Sequence, residues 1–418
     1  MRILFVLHQF FPEFTGGTER VALNLARMAQ RAGHHVHVLA GTADVERSGG
    51  EAMPGLPPGA RRGSYQGVPV TYLSRKALPA AAEIALDPDE AMVAPLAAWM
   101  EAERFDVAQV LHTMRMGTAV LAAQRCGLPY LLTLTDFFLP CARINLVTAS
   151  GAPCGGPQEG RKCGRDCNVP PWTAQGYLQR YQQAQSMLAA AADRVAPSAY
   201  VARIYTESFA GQAVRVIPHG VDLLAMTQSA SVPRAPSDVL RLAWAGAVVP
   251  QKGLDVLLKA LALLPGRPVR LQAIGAFHGN AGYHDEIRAL AAADPRVELV
   301  GGLPQAEVHA RLAASDLLCL SSQVPESYSL VLHESAAVGL PALVGDLGAP
   351  AEHVAASGCG RVVDAADPRA WADAIDAVLR EPELLRRWRD ALPLPLRVEE
   401  EAFFYESLWR RARRPAAS

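Results

Sequence analysis

A chain of 418 residues exceeds one ordinary domain and suits two of roughly 150 to 200 residues each. Half of it is hydrophobic, 19% is charged and the mean hydropathy is +0.09, which gives each half material for a core and excludes wholesale disorder. The 40 basic and 41 acidic residues leave a formal charge of −1, which excludes the broad positive field of a protein that coats nucleic acid.

The chain opens on a strand-length apolar run over residues 2–8, interrupted by His8 and without a signal-peptide cleavage region. A helical pattern over 18–33 carries Val21, Leu25 and Met28 on one side and closes on Gly33, and residues 35–40 read as a second strand. Strand, helix, strand implies a parallel unit. Residues 48–65 are rich in Gly and Pro and read as a mobile loop, after which 68–73, 106–112, a helix near 117–126 and 129–135 extend one doubly wound sheet. Residues 222–238 lose apolar periodicity and read as a linker. A second series follows: strands at 240–245, 269–274, 297–300, 317–320 and 341–344, alternating with helices at 253–264, 283–293, 305–315, 330–339 and 368–380. A last amphipathic helix over about 398–413 is expected to pack back on the first domain. The expected division is 1–221 for an N-terminal domain, 222–239 for the linker, 240–395 for a second domain and 396–418 for the terminal helix. The fold class is thus α/β, two Rossmann-like doubly wound parallel sheets facing an interdomain cleft, which is where the binding site is expected.

No stretch approaches the roughly 18 to 20 apolar residues of a membrane span, so the expected location is cytoplasmic, with contact at the inner membrane face left open. The basic cluster over 410–414 reads as a solvated helix face that could touch an anionic membrane. His34, His35 and His37 read as residues flanking a strand rather than metal ligands.

Only four of the 40 basic residues are lysines, Lys76, Lys162, Lys252 and Lys259, so a lysine in a suggestive loop carries weight. Lys252 lies in Gly246-Ala-Val-Val-Pro-Gln-Lys252-Gly253, between a buried strand and a helix, where backbone N–H groups, the helix dipole and a compact cation suit a phosphate. A surface lysine at a helix start is the plainer alternative. A second segment, Pro325-Glu326-Ser-Tyr-Ser-Leu-Val-Leu-His333-Glu334, sets two carboxylates eight residues apart across a loop and the first turns of a helix. Ser329, Leu330 and Val331 would offer N–H groups to a second phosphate and Glu334 could accept from a diol. The plainer alternative is a capping Glu326 and a solvated Glu334.

Taken in order, Gly-x5-Lys-Gly, Val300-Gly-Gly-Leu303, Ala314-Ser-Asp-Leu-Leu318, the Glu326 to Glu334 segment and Gly339-Leu-Pro-Ala-Leu-Val-Gly-Asp resemble the nucleotide-sugar domain of family 4 retaining glycosyltransferases of the GT-B fold. Gly16-Gly17-Thr-Glu19, Ala196-Pro-Ser198 and Ile217-Pro-His-Gly220-Val-Asp222 carry the resemblance through the first half. The resemblance implies that Lys252 and the Gly246 loop bind the donor diphosphate, Glu334 the ribose hydroxyls, Glu326 the transferred sugar, and Ser329, Leu330 and Val331 the phosphates. Gly16 and Gly17 would sit near the leaving group. It implies a UDP- or GDP-sugar donor, a saccharide, lipid-linked or small-molecule acceptor, no nucleic acid, and Glu326 and Lys252 as the reacting-centre residues without a catalytic metal. Two positions depart from the pattern. Ala247 stands where the family often has Arg, and Thr135-Asp136 where it usually has His-Asp. A sugar-nucleotide epimerase and a non-catalytic nucleotide-sugar binder remain as alternative readings. A nicotinamide dehydrogenase is disfavoured because no G-x-G-x-x-G follows either opening strand.

Four of the seven cysteines, Cys141, Cys154, Cys163 and Cys167, fall in one Gly- and Pro-rich loop over 136–172. Four thiolates could hold a structural Zn²⁺; reduced thiols, and disulfides or a redox cluster, are the alternatives. Cys126, Cys319 and Cys359 lie in apolar surroundings and read as core residues.

Overall fold

The computed structural model describes residues 1–43, 50–56, 59–75, 86, 88–167, 173–229 and 237–414. The chain divides into two compact units, Met1–Gly220 with Val398–Ser418, and Val221–Arg397.

In the first unit the elements run β1 (Arg2–Leu7), α1 (Gly17–Arg31), β2 (His35–Thr42), β3 (Glu51–Ala52), β4 (Arg61–Tyr65), β5 (Val68–Ser74), α2 (Glu90–Ala102), β6 (Val107–Val110), α3 (Gly117–Arg125), β7 (Tyr130–Thr133), α4 (Arg161–Asp166), α5 (Ala174–Ala190), β8 (Asp193–Ala196), α6 (Ala199–Ser208) and β9 (Arg215–Val216). They form one nine-stranded sheet in the order β3-β4-β5-β2-β1-β6-β7-β8-β9. β1 and β6 are near-continuous apolar runs because a parallel strand with helices on both faces has no wet side. α1 buries Val21, Ala22, Leu25, Ala26 and Ala29, the spacing of one helical stripe.

The stretch expected to be a mobile loop contains two strands. β3 pairs antiparallel with β4 and β4 with β5, and Tyr65 stacks on Phe11 with ring centroids 4.7 Å apart. The Arg-Arg-Gly-Ser-Tyr run of β4 has no apolar alternation to reveal it; its order comes from backbone pairing with β5. Residues 48–49 and 57–58 of that stretch lie outside the described residues.

The second unit runs α7 (Leu223–Ser229), β10 (Leu240–Ala245), α8 (Leu254–Ala262), β11 (Val269–Ile274), α9 (Ala281–Ala292), β12 (Val297–Gly301), α10 (Gln305–Ala313), β13 (Leu317–Leu320), α11 (Leu330–Ala337), β14 (Ala342–Gly345), α12 (Gly348–Ser357), β15 (Gly360–Val363), α13 (Pro368–Arg380) and α14 (Glu383–Asp390). Its six strands are all parallel, in the order β12-β11-β10-β13-β14-β15. The expected linker is therefore partly structured. Asp222 accepts from the Ala225 N–H at 3.0 Å to start α7, and Met226 is fully buried. Residues 230–236 lie outside the described residues.

α15 (Val398–Ala412) belongs to the first unit. Trp409 donates from Nε1 to Gln109 at 2.9 Å and meets Phe5 edge-on, while the Tyr405 and Thr133 hydroxyls lie 2.8 Å apart. Glu401 accepts from His219 Nδ1 at 2.9 Å and from the Gly220 N–H at 2.8 Å. Among the described residues no helix is long and apolar enough to cross a membrane.

Trp409 is fully buried and carries both an aromatic contact and a hydrogen bond to the sheet. Trp409→Ala is expected to cost about 3–5 kcal/mol in the first unit, seen as an earlier first transition in calorimetric or urea unfolding.

Candidate functional site

An open parallel sheet offers a ligand crevice where the connections leave two neighbouring strands in opposite directions. In the second unit that point lies between β10 and β13, and the residues singled out from sequence converge there. Gly246 follows β10 directly, and its N–H donates to Ile274 O. The loop then makes a short 3₁₀ turn, Pro250–Lys252, and passes through Gly253 in the left-handed region, φ 62°. A Cβ on Gly253 would stand 2.0 Å from Ser321 O, so only glycine lets the two loops close on one another. Ser321 Oγ donates to Lys252 O at 3.2 Å and Gln323 N to Gln251 O at 2.8 Å, which fixes the loop after β10 to the loop after β13.

This places Lys252 Nζ 2.7 Å from Glu326 Oε1. The Ser322 hydroxyl also donates to that oxygen. Burial alone would push the Glu326 carboxyl upward, but the Lys252 charge and the hydrogen bonds from Lys252 and Ser322 outweigh it and hold the group below the ordinary carboxylate range. A depressed folded value adds stability above the unfolded carboxylate pKa and loses it only as pH falls through the folded one. The pair is therefore intact across neutral pH. Gly348, φ 77°, backs the loop: its added Cβ would lie 2.5 Å from both Glu326 N and O, and Ala349 N–H donates to Glu326 O at 2.9 Å.

Ser329 precedes α11 with φ 69°, a left-handed conformation that is costly for a residue with a Cβ. It turns the chain so that Leu330 and Val331 open the helix, where N–H groups have no partner within the helix. One turn on, Glu334 is buried rather than solvated: Gln305 Nε2 donates to its Oε1 at 2.9 Å and His309 Nε2 lies 3.7 Å from the same oxygen. The structure thus brings together Gly246, Lys252, Glu326, Ser329, Leu330, Val331 and Glu334 in one unit; Gly16 and Gly17 belong to the other.

The first unit has its own reversal point, between β1 and β6, and holds a cluster that the motif reading missed. His8 follows β1 and His112 follows β6; their rings lie 3.9 Å apart. His112 Nδ1 accepts the Met114 N–H at 3.1 Å, which leaves Nε2 to donate to Asp136, with which it makes a close contact. Asp136 also accepts from the Phe138 N–H at 2.8 Å. These interactions hold its carboxyl low against the opposing effect of burial. The expected loss of a His-Asp arrangement at Thr135-Asp136 is therefore met from another strand: the imidazole comes from His112, and Thr135 donates to Leu111 O at 2.9 Å. His8 is held well below the usual imidazole range by burial first and then by His112, Arg75 and Arg115, so it is neutral at physiological pH. Glu19, at the start of α1, is buried and raised, chiefly by burial; a Cβ on Gly16 would fall 2.5 Å from its Oε2. Among the described residues His8 Nδ1 and Glu19 Oε1 are buried without a hydrogen-bond partner, which a bound polar ligand would relieve. The signal was in the sequence, since the two central strands both run into histidine.

The loop cysteines also converge, all four lining one small cavity. Of the three expected in the core, Cys319 and Cys359 are buried and Cys126 is half-buried.

The family model for Glycosyltransferase Family 4 matches residues 15–223, and that for Glycosyl transferases group 1 matches residues 228–392. A D-inositol 3-phosphate glycosyltransferase of Nocardioides sp. is 31% identical over 228 residues, 48% of this chain and 49% of the relative. The chain thus spans about half the length of the curated relatives it matches. Among solved structures, sucrose-phosphate synthase from Thermosynechococcus elongatus superposes with a TM-score of 0.72 at 18% identity over 98% of each chain. Anabaena HepE, solved with UDP and glucose, superposes with a TM-score of 0.69 at 15% identity over 98% of this chain and 100% of that one. At these identities the structures establish a shared two-domain α/β fold.

The packing around the glycines separates their roles. Gly348→Ala is expected to destabilise the second unit by about 1–3 kcal/mol, because its Cβ has no room and its φ is positive. Around Gly246 an added Cβ meets nothing nearer than 3.7 Å, so Gly246→Ala is expected to change stability by no more than about 0.5 kcal/mol. Thermal denaturation of the two variants checks the contrast.

Proposed function

The chain belongs to glycosyltransferase family 4, and we propose that it transfers a sugar from a nucleoside diphosphate to an acceptor hydroxyl with retention at the anomeric carbon. The observation that carries this reading is the Lys252–Glu326 pair beside the strained start of α11, at the strand reversal of the second unit. Departure of a nucleoside diphosphate builds negative charge, and a fixed ammonium with helix-terminal N–H groups stabilises that charge without reorganising. Lys252, Leu330 and Val331 take this role. The bare backbone at Gly246 lets the diphosphate approach closely, which accounts for a glycine that packing does not demand.

Glu326, kept ionised, accepts from hydroxyls of the transferred sugar, and Glu334, oriented by Gln305, accepts from the ribose diol. Gly16 and Gly17 are assigned to the leaving-group side, and the His112–Asp136 pair, within the first unit, binds a hydroxyl of the acceptor. The acceptor oxygen attacks the anomeric carbon on the face the diphosphate leaves, and a departing phosphate oxygen takes its proton, so no protein base is needed. HepE's complex with UDP and glucose makes UDP-sugars the first donors to test, with GDP-sugars next. The inositol phosphate relatives make a phosphorylated polyol the first acceptor, and saccharide or lipid-linked acceptors follow. A lipid-linked acceptor would suit peripheral contact through the exposed Phe403 and Phe404 beside Arg410 and Arg411 on α15.

Calorimetry with a panel of UDP-, GDP- and ADP-sugars is expected to show one donor binding, and Glu334→Ala to weaken it by roughly tenfold to a hundredfold, the worth of hydrogen bonds to a charged group. Binding of none of them overturns the proposal. Asp136→Asn is expected to leave donor affinity unchanged while lowering turnover. Conversion of a donor to its epimer in the absence of any acceptor would replace transfer by epimerisation.

A further inference from the structure

The segment between β7 and α5 enters the main core through Phe137, Phe138, Leu139, Cys141 and Leu146, but from Val147 to Cys167 it has little apolar anchorage. There Cys163 and Cys167 join a small cluster with Ala142 and Tyr177, and α4 is six residues long with three charged side chains in its first five positions. Ordering a chain costs on the order of 1 kcal/mol per residue, which a four-residue cluster does not offset over a loop of this length. Backbone turns nonetheless carry the four cysteines to one place from three separate pieces of structure. Cys141 closes a turn through its N–H to Phe137 O at 2.8 Å, and Cys154 follows the Val147–Pro153 bridge with its N–H on Leu146 O at 2.8 Å. Cys163 and Cys167 are one helical turn apart, joined by the Cys167 N–H to Cys163 O bond at 3.0 Å, so they project from the same face of α4. Gly160, φ 87°, admits this helix against α5, since its added Cβ would stand 2.5 Å from Tyr177 O.

All four thiols line one cavity of about 10 Å³, close to the room taken by a single water-sized guest. Among the described residues no group of three or more His, Cys, Asp or Glu side chains is already placed to hold a metal ion, so the four thiols line the space without forming a ligand set. A tetrahedral tetrathiolate centre with Zn–S of about 2.3 Å needs sulfurs roughly 3.8 Å apart. The negative charge of such a centre also has a counterpart in place: the buried Arg180 guanidinium donates to Leu139 O at 2.8 Å and to Phe138 O, on the turn that ends at Cys141.

We propose that Cys141, Cys154, Cys163 and Cys167 bind one zinc ion as a structural tetrathiolate site that fixes the loop. The turn that Cys141 ends begins at Asp136, so the ion would also hold the partner of His112 in position. This inference is independent of the proposed transfer reaction, because metal content is measured without any substrate.

The test uses the full chain, purified under reducing conditions without chelator. About one equivalent of zinc is expected by elemental analysis. Cys163→Ser and Cys167→Ser are expected to lose it, and Cys319→Ser and Cys359→Ser to keep it. Should the loop variants fail to fold, the wild-type chain decides. After chelator treatment, added Co²⁺ alone is expected to give thiolate-to-cobalt charge-transfer and tetrahedral ligand-field absorption at one equivalent, with four thiols protected from alkylation. Absence of metal, iron in place of zinc, or a mass deficit showing disulfides among these four cysteines overturns the proposal.

Discussion

The functional geometry of both units depends on one topological constraint: in each sheet a pair of adjacent parallel strands sends its connections in opposite directions. Between β1 and β6, and again between β10 and β13, the connections diverge from the carboxyl ends of the strands, so loops there can hold polar groups without breaking the ladder. His8, His112 and Asp136 occupy one such position. Gly246, Lys252 and Glu326 occupy the other. The glycines at 253 and 348 follow from the same constraint, because two loops leaving neighbouring strands must pass within backbone contact.

Charge is handled locally in a chain whose net charge is −1. Lys252 and Glu326 neutralise one another in a partly buried site, and Asp136 is matched by a histidine. Losing one partner would leave a charge in a poorly solvated place, which costs far more than the pair contributes. The site is therefore poised to exchange partners rather than to acquire new charge. In the proposed reaction a diphosphate meeting Lys252 would leave Glu326 to accept from hydroxyls.

Much of this was legible in the sequence, and the reasons differ by element. The parallel strands were visible because burial on both faces writes them as unbroken apolar runs, as in residues 2–7 and 317–320. The Lys252 and Glu326 loops were visible because an ordered set of short motifs resembles a known family. β4 was not, since an edge ribbon of Arg, Gly, Ser and Tyr takes its order from its neighbour. α7 was hidden for a similar reason, its burial resting on Met226. The His112–Asp136 pair joins residues 24 positions apart on different strands, and only strand order makes them neighbours.

The placement of α15 has a consequence for how the protein is made. Gln109 and Thr133 sit in the sheet of the first unit, yet their partners Trp409 and Tyr405 leave the ribosome after the whole of the second unit. Until then the nascent first unit displays an apolar groove over Phe5 with two buried-type polar groups awaiting contact. Domains commonly fold in the order they emerge. Here the unit that begins first is completed last, so the later unit can be fully folded while the earlier one still exposes a surface that chaperones would recognise.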